Sequence, residues 1–174
     1  MTVPASPYEP MALNLKTERL TMRPFTVADA EQLRLLQGER GDGLPPLDRV
    51  REFLGRGPER IAENGFALLV MERREEGDFI GYCGLIVGRS TVEEPEIAYE
   101  LFQRVHNNGY ATEAARAVLD AAVATGRERL WSTVRMWNAP SLRVLEKIGF
   151  ARDHVTEDER GEIVWLTKLL QVAA

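Results

Sequence analysis

One cysteine, two histidines and no long apolar run set the first limits on this chain of 174 residues. A single thiol, Cys83, excludes an internal disulfide and any metal site built from several cysteines. It stands in an apolar stretch, which predicts a buried, inert thiol rather than a nucleophile. The histidines, His106 and His154, have no ligand-like companions at the spacing a zinc site needs, so no metal is expected. No segment approaches the roughly 20 apolar residues of a membrane span, and the first residues lack a basic-then-apolar signal pattern. A cytoplasmic location with no membrane partner is the expectation. A basic excess is missing too: 22 Lys and Arg stand against 27 Asp and Glu, a net charge of −5. That argues against nucleic acid, whose phosphates are bound by basic faces, and suits a cationic substrate such as an amine. Neither a Gly-x-Ser-x-Gly elbow nor a nucleophile–His–Asp pattern occurs, and there is no internal repeat.

What remains is an ordinary globular composition, 44% hydrophobic and 28% charged, in a chain long enough to bury roughly 70% of its unfolded surface. Residues 1–14, rich in proline, read as an arm that is mobile or draped over the surface; residues 15–172 read as one domain. Alternation predicts a strand over Leu15–Phe25. Thr26, with Asp29 behind it, caps a helix whose apolar face is Leu33, Leu35 and Leu36. A loop from Gly38 to Pro46 precedes a helical piece, Leu47–Glu63, broken at Gly55–Pro58. Strands follow over Phe66–Arg73, Phe79–Gly88 and Glu96–Phe102. A helix over Gly109–Gly126 buries Ala111, Ala114, Ala115, Val118, Leu119 and Ala122. Leu130–Trp137 is a strand, with Trp131 and Trp137 on one face; Ser141–Ile148 is a short helix; Phe150–Val155 and Ile163–Leu170 form a closing hairpin. This order predicts an α/β fold with a mixed, mostly antiparallel central sheet flanked by helices, and one parallel crossover.

Two blocks carry the chemistry. In the first, Glu96-Ile-Ala-Tyr-Glu-Leu-Phe102 runs through His106-Asn-Asn-Gly-Tyr-Ala-Thr112 into the long helix. Strand, polar turn and glycine-opened helix leave the first helical N–H groups unpartnered and aimed at one point, which suits a phosphate. Gly109 and Ala111 permit close approach of the backbone. A glycine opening a helix is also common as plain structure. The second block is Asn138-Ala-Pro-Ser141 followed by Glu146-Lys-Ile-Gly-Phe150. Asn138 offers both donor and acceptor to an amide-rich ligand, and is equally an ordinary helix cap. Together the blocks suggest an enzyme holding a pyrophosphate-bearing cofactor.

In order and spacing they resemble the GNAT acetyltransferase superfamily, and within it the Rim-type branch that acetylates protein N-termini and other amines. The likeness runs from Leu15 to Leu170 and includes the opening Leu15-Lys-Thr-Glu-Arg-Leu-Thr-Met-Arg-Pro-Phe25. It departs at His106, where the family's loop begins with Gln or Arg; Arg104 or Arg116 would supply the missing charge. The resemblance implies an acetyl-CoA site formed by Leu101, Phe102, His106, Asn107, Asn108, Gly109, Tyr110, Ala111, Thr112, Asn138 and Ser141. Main-chain groups of Glu100, Leu101 and Phe102 would take the pantetheine arm as an added strand, and a Leu101 N–H would polarise the thioester carbonyl.

Ser141 would protonate or hydrogen-bond the departing sulfur. A carboxylate on the strand would take the amine proton: Glu96 first, Glu100 second, with Glu157 or Glu159 as substitutes. Glu96 and Glu100 share strand parity and should face one way. Tyr99 and Tyr110 read as packing residues. The function implied is direct acetyl transfer from acetyl-CoA to a primary amine, a protein N-terminus or a small molecule, in a ternary complex. The acceptor would enter between Gly38–Glu63 and Asp153–Glu162. A CoA-binding module without catalysis and a transferase using another acyl-CoA, such as succinyl-CoA, are the alternatives. Exposed edge strands in such a fold allow a homodimer.

Overall fold

A computed structural model describes residues 5–171 of the chain. Its spine is one sheet of eight strands: β1 (Leu15–Lys16), β2 (Leu20–Pro24), β3 (Leu68–Arg73), β4 (Phe79–Ile86), β5 (Glu96–Leu101), β6 (Arg129–Arg135), β7 (Ala151–Asp158) and β8 (Gly161–Leu169). Their order across the sheet is β1-β2-β3-β4-β5-β6-β8-β7. Every neighbouring pair is antiparallel except β5 and β6. That parallel pair needs a crossover, and α4 (Tyr110–Ala124) supplies it. Helices α1 (Ala30–Gly38), α2 (Leu47–Gly55), α3 (Gly57–Asn64) and α5 (Ala139–Lys147) complete the fold. Among the described residues no helix is long and apolar enough to cross a membrane.

The core lies along the apolar runs of the central strands. Leu69, Val70, Met71, Ile80, Leu85 and Ile97 are buried along the central strands. From α4, Ala114, Ala115, Val118, Leu119, Ala121 and Ala122 close against them. Small side chains let this helix lie close over β4 and β5, so its first turn arrives beside the end of β5. Cys83 is buried in β4, and burial pushes its thiol pKa upward, away from reactivity.

Two expectations need correction. The single opening strand is a hairpin: Thr17 and Leu20 exchange main-chain and hydroxyl hydrogen bonds, and β1 folds back on β2. Its turn is held from far along the chain by Glu113, whose carboxylate accepts from Thr17 Oγ1 (2.6 Å), Arg19 N (3.0 Å) and Arg19 Nε (2.8 Å). Trp137 lies beyond β6, is 77% exposed, and shares no strand face with Trp131. Within the proline-rich arm, main-chain hydrogen bonds tie residues 9–11 to the body of the fold. Glu9 N donates to Thr125 O and Met11 N to Gly65 O, and Met11 is buried.

Candidate active site

The site begins at the parallel pair. β5 and β6 share one register pair, Glu96 with Trp131, and diverge beyond it. Around that point the two strands are tied by Trp131 N to Pro95 O (3.0 Å) and by Ser132 Oγ to Ile97 O (3.1 Å). On its other edge β5 pairs with β4 as far as Leu101, and Phe102 N donates to Ile80 O. Alternation along a strand then turns the N–H groups of Tyr99 and Leu101 toward the gap beside β6. A strand edge without a strand partner is thus built into the middle of the sheet.

The connection to α4 shapes the far end of this gap. His106 Nε2 lies 2.9 Å from Leu101 O; because a carbonyl only accepts, this nitrogen carries the proton. The carbonyl is satisfied while the Leu101 N–H stays free. Asn108 Nδ2 braces the turn on Val105 O and His106 O, 3.0 Å each. Asn107 and Gly109 have φ of 63° and 78°, a left-handed conformation that asparagine tolerates and glycine adopts freely. The first intrahelical bond of α4 is Glu113 N to Gly109 O, and no side chain caps the helix. Among the described residues no protein acceptor meets the N–H groups of Asn107 through Thr112. These residues, at the positive end of the helix dipole, border an open cavity of about 340 Å³ that Leu101, Asn138 and Ser141 also help to line.

The second block closes that cavity from α5. Asn138 Oδ1 accepts from Ser141 N (3.3 Å), the cap expected of it, which leaves its amide NH₂ as a donor. Ser141 Oγ donates to the Tyr99 hydroxyl (3.1 Å), which in turn donates to Ser141 O (2.9 Å). Tyr99 is therefore more than packing. Strand parity separates it from Glu96 and Glu100 and points it, with Ile97 and Leu101, toward α4 and α5. That parity was visible in the sequence; its partner was not. Burial raises the Tyr99 phenol above its usual range and keeps it neutral.

The two carboxylates share the opposite face, as their parity requires, but in different states. Glu96 is 3% exposed; its Oε1 accepts from Thr133 Oγ1 (2.6 Å) and its Oε2 from the Arg89 N–H. Enclosed there, it latches β5 to β6, and both of its oxygens are already engaged by protein donors. Glu100 is half-buried at the edge of the gap and lines the cavity. Both its oxygens accept from Arg40 Nε at 3.0 Å, and Oε2 also accepts from Arg40 Nη2 and the Tyr82 hydroxyl (3.1 Å). Glu157 and Glu159 lie on the exposed hairpin end, in no hydrogen bond or ion pair among the described residues.

Two cofactor assignments also change. Phe102 has both main-chain groups committed, N–H to Ile80 O and C=O to Val105 N, so it offers nothing to the gap. The same alternation turns the Glu100 main chain toward β4, and Tyr99 takes its place beside Leu101. Arg104 cannot supply the missing loop charge, being held by Asp78 (2.9 Å) and Phe79 O (3.0 Å). Arg116 carries no ion pair among the described residues and borders the outer side of the α4 start with Lys147. Sequence reasoning missed Arg19: it donates to Asn108 O (2.8 Å), lies over the Tyr110 ring at 4.3 Å, and fixes the turn against β2.

A model of the acetyltransferase (GNAT) domain matches residues 19–151. The chain belongs to the GNAT acetyltransferase family. Among curated relatives, this GNAT chain is 33% identical over 111 residues to the uncharacterized protein YkkB of Bacillus subtilis strain 168. That match covers 62% of this chain and 63% of the relative, so it spans under two thirds of YkkB. It is 29% identical to the probable N-acetyltransferase YjcK of the same organism, over 81% of this chain and 85% of that one. Among solved structures, a putative GNAT-family acetyltransferase from Bordetella pertussis superposes with TM-score 0.79 at 22% identity, covering 90% of this chain and 99% of that one. The putative acetyltransferase yncA of Salmonella typhimurium, solved with its cofactor acetyl-CoA, gives 0.71 at 17% identity over 90% and 97%. A RimL ribosomal L7/L12 alpha-N-protein acetyltransferase in complex with coenzyme A gives 0.78 at 11% identity over 95% and 100%. As a GNAT acetyltransferase the chain is an enzyme of the acyl-transfer class.

Proposed function

We propose that the chain is an N-acetyltransferase that passes the acetyl group of acetyl-CoA directly to a primary amine, with Rim-type N-terminal acetylation as the nearest model. The carrying observation is the unpaired β5 edge ending at six unpartnered N–H groups. Acetyl-CoA would supply the acetyl group as a thioester. The residues present fit it: a free strand edge at Tyr99 and Leu101 matches an amide-bearing arm, and the N–H groups of Asn107–Thr112 match a pyrophosphate. Asn138, through its amide NH₂, and Arg116 would add donors at either side.

The chain's own groups then divide the work. The Leu101 N–H polarises the carbonyl that is attacked. Glu100 accepts the proton that the acceptor nitrogen must lose, since Glu96 is sealed. Ser141 turns its hydroxyl hydrogen from the Tyr99 oxygen to the departing sulfur, and Tyr99 holds that hydroxyl by swinging its own O–H from Ser141 O to Ser141 Oγ. With its phenol pushed upward by burial, Tyr99 relays a hydrogen bond and keeps its proton. The Asp42–Arg160 contact (3.5 Å) between the α1–α2 loop and the β7–β8 turn supports an acceptor cleft framed by those two segments. The ribosomal-protein acetyltransferase among the structural neighbours supports a protein N-terminus as one acceptor class.

The test is thiol release from acetyl-CoA against a panel of peptide N-termini and small amines, with succinyl-CoA in parallel. Amine-dependent release that Ser141→Ala reduces about 10- to 100-fold in kcat, with acetyl-CoA affinity kept, is the expected result. A second reading, a CoA-binding module without catalysis, draws on both strand carboxylates being engaged by protein donors. Tight acetyl-CoA binding with no amine-dependent release would favour it.

A further inference from the structure

We propose that Arg40 is an internal stand-in for the substrate cation: its guanidinium occupies the place on Glu100 that the ammonium group of an acceptor takes, so acceptors are primary ammonium ions that compete with it. The proposal rests on the acetyl-transfer reading of the site and goes beyond it by naming the group that the acceptor must displace.

Glu100 is the one strand carboxylate left at the gap, and Arg40 takes both of its oxygens through Nε and Nη2. Tyr82 adds a donor on Oε2. A guanidinium neither gives up nor accepts a proton in this setting. While it sits there, its N–H groups and the Tyr82 hydroxyl hold most of the acceptor capacity of Glu100, and an ammonium group must displace the guanidinium to take both oxygens. An ammonium group offers the same charge and N–H donors to the same oxygens, and can afterwards yield a proton.

Arg40 is built to leave. Its side chain is 49% exposed, and no carboxylate other than Glu100 meets it among the described residues. It stands just past α1, beyond an anchored residue: Glu39 Oε2 accepts from Gln103 N at 2.9 Å. On its other side Gly41 and Gly43 have φ of 93° and 84°, and a Cβ on either would touch nothing within 4 Å. The turn therefore hangs in open space, tied further along by the exposed Asp42–Arg160 pair, which contributes little. Retraction of Arg40 breaks no packing. An acceptor bearing a carboxylate would instead dock on Arg40 itself, and the two cases predict opposite responses to its removal.

The experiment uses n-butylammonium chloride as the probe and sodium butyrate as the anion control. Each is titrated by NMR into the CoA-loaded full chain as wild type, Arg40→Met, Arg40→Lys and Arg40→Met/Glu100→Gln. When an internal group holds a site most of the time, removing it raises apparent affinity by the inverse of the free fraction, here about tenfold. Arg40→Met is expected to bind butylammonium about tenfold tighter, Arg40→Lys to stay near wild type, and the double variant to lose the gain. Butyrate should be unaffected, and the KM for butylamine should fall with the Kd. A folded Arg40→Met that binds butylammonium no tighter overturns the proposal. So does loss of butyrate binding, which would make Arg40 an anion site. Tighter butylammonium binding with no thiol release from acetyl-CoA would sink the acetyl-transfer reading and leave the stand-in standing.

Discussion

Two sides of the β5 site carry opposite kinds of incompleteness. At the gap beside β6 and at the α4 start, donors stand open: the free edge at Tyr99 and Leu101 and the N–H groups of Asn107–Thr112 have no acceptor among the described residues. Toward α1 and α2, acceptors stand closed: Glu96 is filled by Thr133 and Arg89, and Glu100 by Arg40 and Tyr82. Open donors can be left that way because backbone geometry fixes them; they need no partner to hold their direction. A carboxylate near an apolar core cannot be left bare, since a buried charge without hydrogen bonds is strongly disfavoured. So one side is ready for a ligand as it stands, and the other must exchange a partner first.

The comparison breaks most sharply at Glu100. Glu100→Gln removes the reachable carboxylate, and kcat for amine acetylation should fall about 100-fold or more while acetyl-CoA binding holds. Steady-state kinetics beside calorimetric titration would show the split, and an unchanged kcat would leave the proton without a base. Gly109→Val attacks the open side. A β-branched side chain at φ 78° is strained, and its Cβ would meet Arg19 Nη2 at 3.4 Å. Acetyl-CoA affinity should drop about tenfold to 100-fold, with the folding midpoint in the absence of ligand shifting less than the ligand-induced shift is reduced.

Glu96→Gln sharpens the contrast between the two carboxylates. It should lower unfolding free energy by about 1 to 3 kcal/mol in denaturant titration and leave the pH profile of kcat/KM where it was. A moved profile would return Glu96 to the list of bases. The smallest effect is expected at Glu113. Burial works against its charged form, but the hydrogen bonds from Thr17 and Arg19 prevail, and its pKa is lowered. A depressed carboxylate stabilises the fold above its unfolded value of about 4.3 and loses that contribution as pH falls through the folded value. Glu113→Gln should therefore be less stable than wild type at neutral pH, and the gap should close on acidification below about pH 4. A gap that stays constant to acid would show that shape, and not charge, holds the β1–β2 turn.

Much of this was written in local pattern. The strands at Leu68–Arg73 and Phe79–Ile86, the alanine face of α4, the break between α2 and α3 just ahead of Pro58 and the Asn138 cap follow from periodicity, φ preference and side-chain reach within a few residues. Gly109, Asn138 and Ser141 could be named in advance for the same reason, because helix starts carry their own chemistry. The state of each carboxylate could not. Glu96 and Glu100 are equivalent by parity, yet one is locked by a strand that arrives after the α4 crossover and the other by a turn far upstream.

The sequence by itself thus determined the elements, the parallel crossover and the unpartnered N–H cluster at the α4 start, since each depends on backbone directions that neighbours in the chain impose. Tertiary structure alone decided which carboxylate stays reachable, that Tyr99 meets Ser141, and that Arg40 sits on Glu100. Those facts hang on contacts between residues distant in sequence, where no periodicity reports the partner and the penalty for an unpaired buried charge makes the choice.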